Sequence, residues 1–285
     1  MTQNYLEKVK DLPVMPEVAV KVLNMSEKSL DISFKDLESL IMVDPGLTAK
    51  ILKIANSALY ARQREIKSLQ TAITLLGFKN IRNVVLLISA SRLFPRMQGD
   101  DFHASFWKHA ICAAFFSRSL AVRCGRTDIA EEAFVAGLLH DIGQAILYNS
   151  APAEYAQALE AEKLGALLLE TIELQMFGTD HRELGGAVLR KWNFPALYAD
   201  VALEHESLNI TSPHKSTVIL VSVASLLAET LEPEGIQPMH LEVLLQLMPY
   251  TCLPMVDTDA PAVEMAAALE ADPLYQEFRS LFGLG

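Results

Sequence analysis

His140 and Asp141 stand side by side at the end of the apolar run Ala133-Phe134-Val135-Ala136-Gly137-Leu138-Leu139. An imidazole and a carboxylate buried together are unfavourable unless a hydrogen bond or a metal ion compensates them. Three further histidines, His109, His181 and His205, each fall in or at the edge of a predicted helix, next to apolar residues. Inward-facing histidines and carboxylates drawn from separate helices are how metal sites are built in all-α proteins. Imidazole and carboxylate ligands together suit one divalent ion: iron, manganese, zinc or nickel. Taken singly, each histidine reads more readily as a hydrogen-bonded core residue. The adjacent pair is the stronger signal, because a carboxylate is rarely buried without a partner. His103, His214 and His240 are expected at the surface.

The elements that must position these residues are helical nearly throughout. Asp44-Pro45-Gly46 is a helix start, with Asp at the cap and Pro at the first position. Ser68 opens a further helix that Gly77 ends as a left-handed cap, and Pro95 stops the next one. A long helix is predicted from Phe102 to about Cys124. Asp128 with Glu131, and Asp180 with Glu183, predict capping boxes for the helices that lead to His140 and away from His181. Period-two alternation is absent over any useful length, so the expected fold is all-α. The expected division is an N-terminal helical lobe over residues 1–98 and a second helical lobe with the C-terminal helices over 99–285, with Met97-Gln98-Gly99-Asp100 between them.

Composition narrows the function classes. The chain has 285 residues, 51% hydrophobic and 21% charged, which allows a sizeable core. A net charge of −11 counts against non-specific nucleic-acid binding, although Lys50, Lys53, Arg62, Arg64, Lys67, Lys79 and Arg82 are concentrated in one segment. Cys112, Cys124 and Cys252 have no metal-like spacing and read as buried thiols of a reducing compartment. With no signal-peptide pattern and no apolar run of membrane-spanning length, the expected location is the cytoplasm, without membrane association.

Several segments together resemble a known family. Residues 133–143, AFVAGLLHDIG, are similar to the HD superfamily of metal-dependent phosphohydrolases. The N-terminal half resembles its HD-related output branch, HDOD. Leu12-Pro13-Val14-Met15-Pro16 is similar to that family's opening LPxxP, and residues 44–60, DPGLTAKILKIANSALY, to its DPxLxxxxLxxANSxxY signature. Residues 66–77 and residues 181–195, HRELGGAVLRKWNFP, resemble the segments that follow, so the likeness covers roughly residues 10 to 230.

The resemblance implies that His109, His140, Asp141, His181 and His205 are the metal ligands. Glu206 stands at the second position of a frequent His-His dipeptide, where it could serve as an oxygen ligand. Two departures point away from efficient hydrolysis: Ser225 falls near the family's final Asp, and Gln144 near a lysine of the cyclic-dinucleotide branch. In the N-terminal lobe, Asn56 and Ser57 sit where a helix should end, and are read first as satisfying backbone groups and second as contacts to a ligand. The expected function is a bacterial signal-transduction output module that binds a signalling protein or small-molecule ligand through a degenerate HD site. The alternative is a metal-dependent phosphohydrolase acting on nucleotides or cyclic dinucleotides. The sequence leaves the oligomeric state open.

Overall fold

The computed structural model describes residues 12–25, 34–56, 66–94, 101–165, 167–232, 235–253 and 259–284. Among them every regular element is helical. The N-terminal part comprises α1 (Glu17–Asn24), α2 (Phe34–Met42), α3 (Pro45–Ala55), α4 (Leu69–Leu76) and α5 (Phe78–Ser91). Then come α6 (Asp101–Arg123), α7 (Ala130–Leu139), α8 (Ile142–Ser150), α9 (Pro152–Lys163), α10 (Leu169–Phe177), α11 (His181–Lys191), α12 (Ala196–Glu204) and α13 (Lys215–Glu229). The C-terminal helices are α14 (Pro238–Leu247), followed by a 3₁₀ turn, α15 (Asp259–Glu270) and α16 (Pro273–Phe282).

Local chemistry accounts for most of the boundaries. Asp44 caps α3 by accepting from the Leu47 amide at 2.9 Å, with Pro45 where no N–H is needed. Ser68 caps α4 through the Thr71 amide at 3.1 Å. Gly77 does more than the expected left-handed cap. At φ 80° and ψ 157° it occupies a region nearly closed to other residues, and it turns α4 into α5 through 111°. The capping box expected at Asp128 does not form: Ile129 is the cap of α7, and Asp128 pairs with Arg126 instead.

Helix α6 is the spine of the C-terminal part, packed between α7 and α13, with α16 against its outer side. Helices α11 and α12 pair with each other and reach α8 and α7 respectively. One hydrophobic cluster runs from Met15 to Phe278 and does not break near residue 98. Helix α5 packs on α7, Asn83 Nδ2 donates to Glu131 Oε2 at 3.2 Å, and Trp192 Nε1 donates to the Pro13 carbonyl at 3.0 Å. The expected connection at Met97–Asp100 lies outside the described residues. No single described helix is long and apolar enough to cross a membrane; α4 and α5 reach that composition only as a bent pair. Cys112 is buried as expected, whereas Cys124 is half-buried and Cys252 exposed, contrary to the expectation for these two.

A Cβ on Gly77 would meet no atom within 4 Å, so a substitution there strains the backbone alone. Gly77→Ala is expected to lower unfolding free energy by about 1–3 kcal/mol. Urea denaturation followed by circular dichroism checks this, with the helical signal in water unchanged.

Candidate metal centre

The five histidine and aspartate positions singled out from the sequence converge from separate elements on one buried point. His109 comes from the middle of α6, His140 and Asp141 from the elbow between α7 and α8, His181 from the first position of α11, and His205 from the end of α12. Two local devices bring the helix ends together. Asp180 caps α11 through the Glu183 amide at 2.8 Å, as the Asp180–Glu183 spacing predicts, and so fixes where His181 begins. Gly143 lets the start of α8 lie directly against that turn, since a Cβ there would overlap the His181 carbonyl.

Each of three imidazoles is fixed through Nδ1. His140 Nδ1 donates to the Gly137 carbonyl at 2.7 Å, His205 Nδ1 to the Ala202 carbonyl at 3.0 Å, and His181 Nδ1 to Glu173 Oε2 at 2.7 Å. A carbonyl only accepts, so in neutral His140 and His205 the proton is on Nδ1 and the lone pair on Nε2. These Nε2 atoms all face Asp141. His140 Nε2 lies 3.1 Å from Oδ2; His205 and His181 Nε2 lie 3.2 and 3.8 Å from Oδ1. Acceptor therefore faces acceptor, and either a proton or a cation must stand between them. Ligands about 2.1 Å from a tetrahedral ion are separated by about 3.4 Å, which falls inside the observed spread. Asp141 Oδ1 and His181 Nε2 are buried with no hydrogen-bond partner. The residues present fit a divalent cation, with ligand-type atoms of His109, His140 and Asp141, and of Asp141, His181 and His205, within 4.8 Å of one another.

The surroundings hold this arrangement under electrostatic tension. Burial pushes the Asp141 carboxyl up, but the His140 and His205 imidazoles outweigh it and hold the group well below the usual carboxylate range. Burial lowers His140, against the pull of the adjacent Asp141 carboxylate. Burial also opposes charge on His181, yet the Glu173 carboxylate beside it raises that imidazole well above its usual range. His109 is raised to about 9, the Glu232 carboxylate 3.1 Å from Nδ1 overcoming desolvation.

Ser225 reaches the centre from α13, at the position where the resemblance leads one to look for an aspartate. Its hydroxyl lies 3.1 Å from both His109 Nε2 and His140 Nε2. One hydroxyl can accept from the charged His109 and donate to the neutral His140, which ties these two nitrogens together without a carboxylate. Glu206 does point inward, with carboxylate oxygens 3.7 Å from His205 Nε2 and 3.9 Å from His181 Nε2.

Glu173 is a residue of the centre that sequence reasoning misses. It is fully buried on α10, accepts from the His181 amide at 2.8 Å and the Tyr155 hydroxyl at 2.6 Å, and orients His181 as described. The only signal for it is a glutamate inside the helix preceding His181. His240, expected at the surface, is buried at 7% exposure, and its Nδ1 donates to Glu229 Oε2 at 2.9 Å. Its acidic neighbour lies eleven residues back on the preceding helix, so proximity in sequence misleads. His103 and His214 are half-buried, the first stacked on Phe282 and the second bonded to Asp200 at 3.0 Å. Asn56 lies on α3's C-terminal cap, outside the centre. Its amide donates to the Leu52 and Ile66 carbonyls and accepts from the Ile66 amide, the backbone role read first for it. Ser57 lies outside the described residues.

An all-α bundle with a His-Asp elbow facing histidines from neighbouring helices defines the class of the chain. The HDOD domain model matches residues 12–208, and the chain belongs to the HDOD family. Among solved structures it resembles an HDOD domain protein of unknown function from Geobacter sulfurreducens (23% identity, 98% of this chain and 96% of that one, TM-score 0.76). A protein from Shewanella amazonensis SB2B named as a candidate phosphohydrolase matches at 23% identity over 98% and 97% of the two chains, TM-score 0.72. A candidate signal transduction protein from Marinobacter aquaeolei VT8 matches at 19% identity, TM-score 0.78; this chain is covered to 99% and that one to 65%. A curated relative, an uncharacterized protein of Treponema pallidum, is 22% identical over 229 residues; the match spans 80% of this chain and 44% of the relative.

Tyr155→Phe removes one of the donors to the buried Glu173 carboxylate. The expected loss is about 1.5–3 kcal/mol, as for a hydrogen bond to a charged group. Chemical denaturation measures it, and a loss below about 0.5 kcal/mol would show that Glu173 does not depend on this bond.

Proposed function

We propose that the chain is a bacterial signal-transduction module that works by binding a protein or small-molecule ligand, and that its His-Asp centre holds one divalent ion without efficient turnover. The observation that carries this reading is Ser225. Its hydroxyl engages the Nε2 atoms of both His109 and His140, where a second ion would need a carboxylate. Paired-metal phosphohydrolysis relies on two ions about 3.5–4 Å apart, each held by anionic ligands. Here Asp141 is the carboxylate that faces the Nε2 atoms, Glu206 stands at its border, and Glu173 and Glu232 lie on the Nδ1 sides of His181 and His109. We assign the ion to Asp141, His181 and His205, whose facing atoms include two that have no hydrogen bond, with His140, His109 and Glu206 around them. The likeness to a candidate signal transduction protein agrees with an output role.

A metal-dependent phosphohydrolase acting on nucleotides or cyclic dinucleotides is the second reading. It is favoured by the unpartnered Asp141 Oδ1 and by the name of the Shewanella protein. A bound ion would supply Lewis acidity and water activation there; the chain's own part would be to orient the imidazoles through Gly137, Ala202 and Glu173.

The test is metal analysis of protein purified without chelator, followed by phosphodiester and nucleotide assays with added manganese or iron. Expected are about one ion per chain at the Asp141 centre, its loss in Asp141→Asn, and no turnover above the Asp141→Asn background. Metal-dependent turnover abolished by Asp141→Asn would replace the first reading by the second. Because His181 retains its proton above its usual range, an ion bound there must displace it, so its affinity is expected to fall as pH is lowered. Ser225→Asp, which adds a carboxylate between His109 and His140, is expected to raise manganese affinity at least roughly tenfold. Titration of both proteins with manganese, followed by electron paramagnetic resonance, measures the difference.

A further inference from the structure

A second set of ligand-type atoms converges on Glu206. Glu170 from the first turn of α10, Glu206 after α12 and His240 from α14 bring one atom each to within 4.8 Å of one another. We propose that these three residues form a separate cation site, taking a divalent ion of the zinc, manganese or iron(II) kind.

His240 is the residue that points to a ligand. Its side chain is more than nine-tenths buried, its Nδ1 is held by Glu229 Oε2 at 2.9 Å, and its Nε2 has no hydrogen-bond partner. This repeats the arrangement at His181, where Glu173 holds Nδ1 and leaves Nε2 free. A carboxylate that fixes the ring so that the other nitrogen faces a cation is the usual support of a metal-bound histidine. His240 Nε2 stands 4.0 Å from Glu206 Oε1. That gap is too long for a hydrogen bond, yet two metal–ligand bonds of about 2.0–2.2 Å can span it. Glu206 Oε2 and Glu170 Oε2 are likewise buried without a hydrogen bond. The one arginine near Glu206, Arg182, comes no closer than 3.7 Å. Two carboxylates and one imidazole match a borderline divalent ion better than a soft one. His240 lies beyond the family match, which ends at residue 208, so the site depends on the chain's C-terminal helices.

The site is tested on the full chain by equilibrium dialysis against zinc or manganese, with bound metal counted per chain. His240→Gln and Glu170→Gln are each expected to bind one ion fewer than the unaltered protein, or to bind it at least roughly tenfold more weakly. Asp141→Asn is expected to keep that ion while losing the one at its own centre. Unchanged stoichiometry and affinity, within about twofold, in both His240→Gln and Glu170→Gln would overturn the proposal, whatever Asp141→Asn does. Should Asp141→Asn lose no ion, the reading of the Asp141 centre fails, and the other two variants still decide this site. Thermal melts accompany each measurement. If His240→Gln does not fold, Glu170→Gln, at a half-buried position, decides alone.

Discussion

A buried carboxylate ringed by imidazoles sets the terms for the whole C-terminal part of this protein. Asp141 is 7% exposed, and its Oδ1 faces the Nε2 atoms of His181 and His205 without a hydrogen-bond partner. Left alone, such a charge would cost several kcal/mol or take up a proton. It stays ionised because imidazoles surround it, and they surround it because helix ends are brought to one point. The elbow between α7 and α8 supplies Asp141 itself, the cap at Asp180 starts α11 at His181, and the end of α12 supplies His205. Any shift of these ends by one residue would swing a ring away from the carboxylate.

The rings themselves are held from behind. Gly137 and Ala202 offer helix-end carbonyls that no intrahelical N–H needs, a feature of every helix C-terminus. His140 and His205 take up these carbonyls, so the termini and the centre satisfy one another. His181 sits at a helix start, where no such carbonyl is available. A buried glutamate does the same work there, and Tyr155 and the His181 amide share its charge. The different supports follow from which end of a helix each histidine occupies.

The same physics separates what is legible in the sequence from what is not. The helical periodicity, the caps at Asp44, Ser68 and Asp180, and the ordered series His109, His140, Asp141, His181, His205 are readable, because each depends on local spacing or on a family pattern. Local spacing misleads at Asp128, where Arg126 competes for the carboxylate, and at Gly77, where the turn needs a conformation beyond the left-handed helix. Glu173 and His240 escape for another reason. Their roles come from tertiary neighbours: Glu173 from the start of α11, His240 on α14 from Glu229 on α13. A lone Glu on a helix or a lone His in a C-terminal segment carries no spacing signal of that kind. Ser225 is visible as a departure from the family pattern, but that its hydroxyl bridges two imidazoles can come only from geometry.

That bridge bears on why the centre exists at all. A protein needing only a stable core could fill this volume with apolar side chains, and replacing buried ionic groups in that way is often neutral or stabilising. Here Glu173, Asp141 and four histidines are instead kept in register, each ring aimed by a specific partner. Packing stability does not account for such a network, since helices α6, α7 and α13 already share an extensive apolar interface. What the network does provide is a set of converging lone pairs and negative charge that a cation can complete. A neutral serine in place of a carboxylate leaves that capacity intact on the Asp141–His181–His205 side while removing charge from the His109–His140 side. The proposed single-ion reading rests on that asymmetry between the two sides of the centre.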